Sequence, residues 1–197
     1  GDVTGATALT IATDAVDIAM LSATGTADST TFLRGDNSWV AISGGLAQAS
    51  QWRLTTDFTG SASPIASNLE EVDTDGYARI GSAMTESSGV FTFPVTGIWY
   101  VEFWVRHLFD NSSRFVVSYI YTTVDDGTWT QATESGSAIY NNSWVQAYTR
   151  SSFLFDVTST STHKCRFHVG GDNAGVEVTG NTGYTQTGMS FLKLGDT

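Results

Sequence analysis

Acid–base, nucleophilic or metal chemistry in this chain would have to draw on three histidines, one cysteine and twenty acidic side chains. His163 and His168 stand five apart, so on one strand they leave opposite faces, and His107 is remote from both in sequence. No zinc-ligand spacing and no metalloprotease pattern occurs. Glu70-Glu71 and Asp125-Asp126 are adjacent pairs whose side chains diverge on a strand, whereas glycoside hydrolysis needs opposed carboxyls about 5–10 Å apart. Gly170-Gly171-Asp172-Asn173-Ala174-Gly175 lacks the Gly-Lys-Ser/Thr ending of a phosphate loop and reads as a turn. Asp73, Asp75, Asp125, Asp126 and Asp172 all fall in turns where oxygen ligands can gather, the chemistry that calcium uses, but no EF-hand spacing is present. Cys165 alternates with Phe167 and Val169, the pattern of an inert thiol on the apolar face of a strand. These residues give no catalytic set and no cofactor, with calcium as the one metal to weigh against plain surface charge.

Recognition chemistry is better represented. The stretches Asp125–Trp129, Ala138–Trp144 and Gly180–Tyr184 each join an aromatic to Asn, Asp or Thr, a mix suited to stacking on sugars and hydrogen-bonding to them. The candidate binding residues are Trp129, Tyr140, Asn141, Asn142, Trp144 and Tyr184. Trp129 and Trp144 would serve equally as core residues at strand starts.

The elements that must hold these loops are strands. From Ser88 to Val105 the sequence reads as a strand, a corner at Pro94 to Gly97, and a longer strand. Trp99, Val101, Phe103 and Val105 share one face of the second strand; Ile98, Tyr100, Glu102, Trp104 and Arg106 share the other. Both faces are largely apolar, so both need cover: a second sheet on one side and a neighbouring subunit on the other. If buried, Glu102 on the second face needs a partner, and Arg106, four residues along, is the candidate, directly or across subunits; the alternative is that this end of the strand is wet. Further alternating runs at Trp52–Phe58, Phe115–Tyr121, Phe153–Val157, Cys165–Val169 and Met189–Leu194 bring the total to about eight to ten strands. With turn signals every dozen residues and no helical period, the fold expected over residues 48–197 is an antiparallel sandwich.

Charge narrows the partners. Nine basic against twenty acidic residues give a formal net charge of −11, which argues against nucleic acid, because phosphate contacts need clustered Lys and Arg. Only Lys164 and Arg166 fall close together, which is no patch. There is no run of eighteen apolar residues and no basic-then-apolar leader, so no membrane insertion is expected. The chain starts at Gly1 rather than Met and is read as a piece of something longer.

Residues 1–47 differ in character. Large side chains are sparse before Phe32, and the segment cannot by itself offset an ordering entropy of about 1–2 kcal/mol per residue. Either it is disordered or it forms a thin, extended shaft in which Leu9, Ile11, Val16, Ile18 and Met20 from several copies face a common axis, the option the pattern suits. Phe32-Leu33-Arg34 and Trp39-Val40-Ala41-Ile42 are two short strand-like runs around Gly-Asp-Asn-Ser turn chemistry. Arg34-Gly35-Asp36 is also the tripeptide that integrins read, but the hairpin accounts for its Gly and Asp without a receptor.

Two family resemblances follow from these motifs. Gly25-Thr26-Ala27-Asp28-Ser29-Thr30-Thr31-Phe32-Leu33-Arg34-Gly35-Asp36-Asn37-Ser38-Trp39 resembles a motif of bacteriophage tail fibres, and Ala8–Ala12 with Asp14–Val16 resembles their shaft segments. Phe91, then Gly97, Trp99, Val101 and Phe103 at alternate positions, resembles the signature of complement globular-head and tumour-necrosis-factor-like jelly rolls. Here Trp99 replaces the usual Tyr and Val101 the usual Phe. Thr187-Gly188-Met189-Ser190-Phe191-Leu192 resembles that family's last strand. These resemblances imply a homotrimeric jelly-roll head that presents its recognition loops on a rigid scaffold. Ile98, Tyr100, Glu102 and Trp104 would lie at the subunit interface, and some members of the family hold calcium near the axis. The implied role is adhesion: a virion tail-fibre tip, made in the bacterial cytoplasm, that binds a host-surface receptor such as a glycan and joins other tail proteins. The alternative from another class is a polysaccharide depolymerase head of a tail spike. A secreted signalling jelly roll would call for a collagen-like stalk, and the N-terminal segment has no such repeat.

Overall fold

The computed structural model describes every residue except 1–2, 5–9, 12–16, 42–44, 110–114, 140–143 and 173, together with the backbone alone of 3, 4, 10, 11, 19 and 109. Leu9, Val16, Tyr140, Asn141 and Asn142 therefore lie outside the described residues, as does the side chain of Ile11. The chain divides into two compact units, Gly1–Gly45 and Leu46–Thr197.

The first unit is made of local pairings. β1 (Val3–Thr4) pairs antiparallel with β2 (Thr10–Ile11), a 3-10 turn spans Ile18–Met20, and β3 (Thr31–Leu33) pairs antiparallel with β4 (Trp39–Ala41). Side chains set the β3–β4 turn. Asp36 Oδ1 accepts from the Ser38 amide at 3.2 Å and the Ser38 hydroxyl at 2.6 Å, while its other oxygen accepts from Arg34 Nε at 3.1 Å. Asn37 takes the left-handed conformation such a turn requires, at φ 61°. Asp28 likewise accepts from the amide and hydroxyl of Thr30. Gly25 sits at φ 88°, and a Cβ there would stand 2.7 Å from the Trp39 carbonyl oxygen. The glycine of the motif is thus required twice, by conformation and by space.

The second unit contains β5 (Ala49–Leu54), β6 (Phe58–Thr59), β7 (Leu69–Glu71), β8 (Thr85–Ser87), β9 (Val90–Thr92), β10 (Gly97–Phe109), β11 (Phe115–Thr123), β12 (Thr130–Ala138), β13 (Val145–Val157), β14 (Lys164–Gly171), β15 (Glu177–Val178) and β16 (Gly188–Gly195). One sheet runs β13, β10, β16, β5, β7, with β15 pairing the C-terminal end of β10 and β6 pairing β15; the other runs β12, β11, β14, β9, β8. All named pairings are antiparallel, and β16 lies between β10 and β5. Two antiparallel sheets joined in this order form a jelly-roll sandwich.

The core lies between the sheets, on the faces that alternation predicted. Trp99, Val101, Phe103 and Val105 are at most 1% exposed and meet Phe91, Phe167, Phe191 and Met189. Phe103 and Phe167 have ring centroids 5.0 Å apart across the sandwich, and Trp52 stands edge-on to Phe91 at 5.2 Å. The corner before β10 depends on Gly97, at φ 143°, where a Cβ would fall 2.5 Å from the Gly195 carbonyl oxygen. Cys165 is fully buried, and desolvation pushes its thiol pKa well above the ordinary range.

Candidate functional site

Two broad faces remain after the core is filled: the outer side of each sheet. On the first sheet, register places Tyr100, Glu102 and Trp104 of β10 beside Leu154, Ser152 and Arg150 of β13 and beside Leu192, Ser190 and Gly188 of β16. Ile98, Tyr100 and Trp104 are half-buried, while Leu154 and Tyr148 are 58% and 62% exposed. Gly188 leaves room for Trp104 to lie down on the sheet, since a Cβ would stand 2.6 Å from its ring.

Glu102 sits at the centre of this face with 10% of its side chain exposed. Arg106 is not its partner. Arg106 Nε instead donates to Gln146 Oε1 at 3.3 Å, and Glu102 accepts from Arg150 Nε at 2.6 Å and from the Tyr100 hydroxyl at 2.9 Å. The reason is geometric: residues four apart on one strand are separated by about 13 Å, whereas adjacent strands run about 5 Å apart. Burial raises the Glu102 pKa, but the hydrogen bonds from Arg150 and Tyr100 outweigh it and hold the carboxyl below its usual range. Beside the pair lies a cleft of 280 Å³ lined by Gln51, Glu102, Trp104, Arg150 and Ser190.

At the edge of the same face Arg53 is fully buried. It donates to Glu70 Oε1 and Thr74 Oγ1, each at 2.7 Å, and is ion-paired to Asp73. Glu71 turns the other way, to Arg79 Nη1 at 2.6 Å, so the Glu70-Glu71 carboxylates serve two separate cations. Asp125 is taken up by its own turn, accepting from the amides of Gly127 and Thr128 and the hydroxyl of Thr123, which holds its pKa far below normal. Asp126 pairs with Lys164 at 2.6 Å. Asp73, Asp125 and Asp126 therefore do not converge on a calcium site. Among the described residues no group of three His, Cys, Asp or Glu side chains is placed to hold a metal.

The outer face of the second sheet carries Tyr119 and Tyr121 of β11 opposite His168 and Arg166 of β14. The Tyr121 and His168 rings stack at 4.2 Å, and His168 Nδ1 lies 2.9 Å from the Ser63 hydroxyl. Burial, and then the charge of Arg166, pull the His168 pKa down to about 4. Trp129 lies against this face, its ring centroid 4.2 Å from the Arg166 guanidinium carbon.

The sequence-nominated binding residues do not form one site. Trp129 follows the turn after β11, while Trp144 precedes β13 at the end where β11 begins, a strand length of about 26 Å away. Trp144 is 74% exposed and Tyr184, in the loop before β16, is 59% exposed, whereas Trp129 is half-buried. Ile18 is 59% exposed within the first unit. Sequence reasoning passed over Arg150, Leu154 and Tyr148, whose signal was the polar-side phase of β13. It also passed over the Tyr121–Arg166–His168 cluster, whose signal was the same phase on two strands.

No protein-family model matches the sequence, and no curated protein is similar to it. Solved structures do match. The chain is similar to Eiger TNF from S. frugiperda, with a TM-score of 0.56 and 12% identity over 76% of this chain and 93% of that one. It is similar to murine APRIL, with a TM-score of 0.53 and 11% identity over 75% of this chain and 98% of that one. At such identities the likeness is one of fold: these strands form a jelly roll of the tumour-necrosis-factor type.

Proposed function

We propose that this chain is a homotrimeric attachment protein, a bacteriophage tail-fibre tip in which a thin shaft leads into a jelly-roll head that binds a receptor on the bacterial surface. The observation that carries the self-association is the outer face of the first sheet. Tyr100, Trp104, Leu154, Leu192 and Tyr148 give it an apolar surface around one hydrogen-bonded ion pair, Glu102–Arg150, the composition of an interface core rather than of a wetted sheet. The tail-fibre assignment draws on the Gly25–Trp39 motif. Three heads on one fibre and several fibres on one virion turn weak contacts into firm attachment through effective concentration. Adhesion asks nothing of catalysis.

Light scattering on the purified chain at micromolar concentration tests the assembly: a trimer mass is expected, with Leu154→Asp reducing it to a monomer while the far-ultraviolet spectrum is kept. A monomeric wild-type chain would overturn the scheme. Binding of labelled protein to whole host cells, run beside a hydrolysis assay on extracted surface polysaccharide, tests the role. Adherence without cleavage is expected; sugar release would replace attachment by depolymerisation.

A further inference from the structure

We infer that the outer face of the second sheet carries a subsite for an acidic sugar, a pyranose bearing a carboxylate, built on Arg166, Trp129 and Tyr121. The assignment rests on the attachment reading for its biological role, and it names the ligand class that reading leaves open.

Arg166 is an unpaired cation. Arg34, Arg53, Arg79, Arg150, Lys164 and Lys193 are each in an ion pair, and Arg106 is bonded to Gln146. Among the described residues Arg166 alone of the Lys and Arg side chains has neither, in a chain of formal charge −11. Its Nε is buried without an acceptor, and its guanidinium carbon lies 4.2 Å from the Trp129 ring centroid and 5.7 Å from that of Tyr121. Aromatic faces on two sides hold the planar group in place without satisfying its N–H donors. A fork of donors fixed in this way matches a carboxylate.

The surroundings favour a sugar as the bearer of that carboxylate. Tyr119 and Trp129 are partly exposed on this face and offer ring surface to the C–H face of a pyranose, while Tyr121, its ring stacked on His168, backs Arg166. Arg166 lies on β14, flanked by β11 and β9, so it presents a sheet face and not the free strand edge an extended peptide would pair with. Lys164, on the same side of β14, is held by Asp126. The acid facing this surface, Glu134, stands opposite Tyr119 on β12 and accepts from Gln131 Nε2 at 3.2 Å, which leaves the β14 side for an anion.

Calorimetric titration of the full chain with galacturonate, glucuronate and N-acetylneuraminate oligomers, with galactose oligomers and dextran sulfate as comparison ligands, tests this. Saturable binding of at least one carboxylate sugar is expected, with the neutral sugar at least about tenfold weaker. Arg166→Gln and Trp129→Ala should each weaken binding about tenfold or more, and Arg166→Lys should restore only part of it, all at unchanged melting temperature. Failure of all three acidic sugars, undiminished affinity in Arg166→Gln, or equal competition by dextran sulfate would overturn the assignment. Host-cell binding measured on the same proteins separates the two readings. Cells bound equally by wild type and Arg166→Gln would sink the subsite and leave attachment standing; acidic sugar bound but cells ignored would do the reverse.

Discussion

The two units of this chain reach order by different means. In the first, no described side chain is buried: Ile18, Met20, Phe32 and Leu33 are all 40% exposed or more, and the turns are fixed by Asp28 and Asp36 bonding to residues two or three away. In the second, eighteen buried apolar residues form one cluster across two sheets, and its pairings join residues far apart in sequence. Local hydrogen bonds between exposed groups contribute little net stability each, while buried apolar surface supplies the main favourable term for a domain. The first unit is specified by its turns, the second by its core.

The largest expected break in this contrast comes from Phe91→Ala or Phe103→Ala, which should cost the second unit about 3–5 kcal/mol in urea unfolding, whereas Phe32→Ala should change stability by no more than about 0.5 kcal/mol. Acid comes next. His107 is fully buried, and desolvation lowers its pKa to about 4. The unfolded chain takes up that proton near pH 6.5, so stability is full above 6.5 and is lost as pH falls towards 4, by at most about 3 kcal/mol. His168 adds in the same direction, and the slope of melting temperature against pH over this window should flatten in His107→Gln. All three histidines lie in the second unit. Asp28 and Asp36 in the first are held below the usual carboxylate pKa by their hydrogen bonds, so its turns should loosen only at pH below about 4, as followed by Trp39 resonances. A smaller effect is expected for Gly188→Ala, about 1–3 kcal/mol, because the added methyl meets the Trp104 ring and the Trp52 carbonyl oxygen. The smallest should be Asp36→Asn, which ought to speed amide exchange at Ser38 while leaving the global transition unmoved.

Within-strand order was legible because alternation is a local property. The faces of β10, the inward phase of Cys165, Phe167 and Val169, and the corner before Gly97 all follow from neighbours a few residues apart. What lay across strands was not. Glu102 was given Arg106 because that residue shares its strand; the true donor, Arg150, is set by a register between segments nearly fifty residues apart. Three aromatic loops looked equivalent in sequence, and the sandwich sends Trp129 and Trp144 to opposite ends. Nothing local in the sequence marks Arg53 for burial, yet β7 supplies Glu70 beside it and the segment after β7 supplies Asp73 and Thr74.

The seat of β16 between β10 and β5 bears on how the second unit acquires its shape. During synthesis β5 and its neighbour β7 emerge early, but the strand that joins β5 to β10 arrives only when the ribosome has passed Gly195, so the first sheet stays open between them until then. Closure is then a late, long-range step, which predicts slow folding typical of high contact order, with the docking of β16 as the event that completes the first sheet.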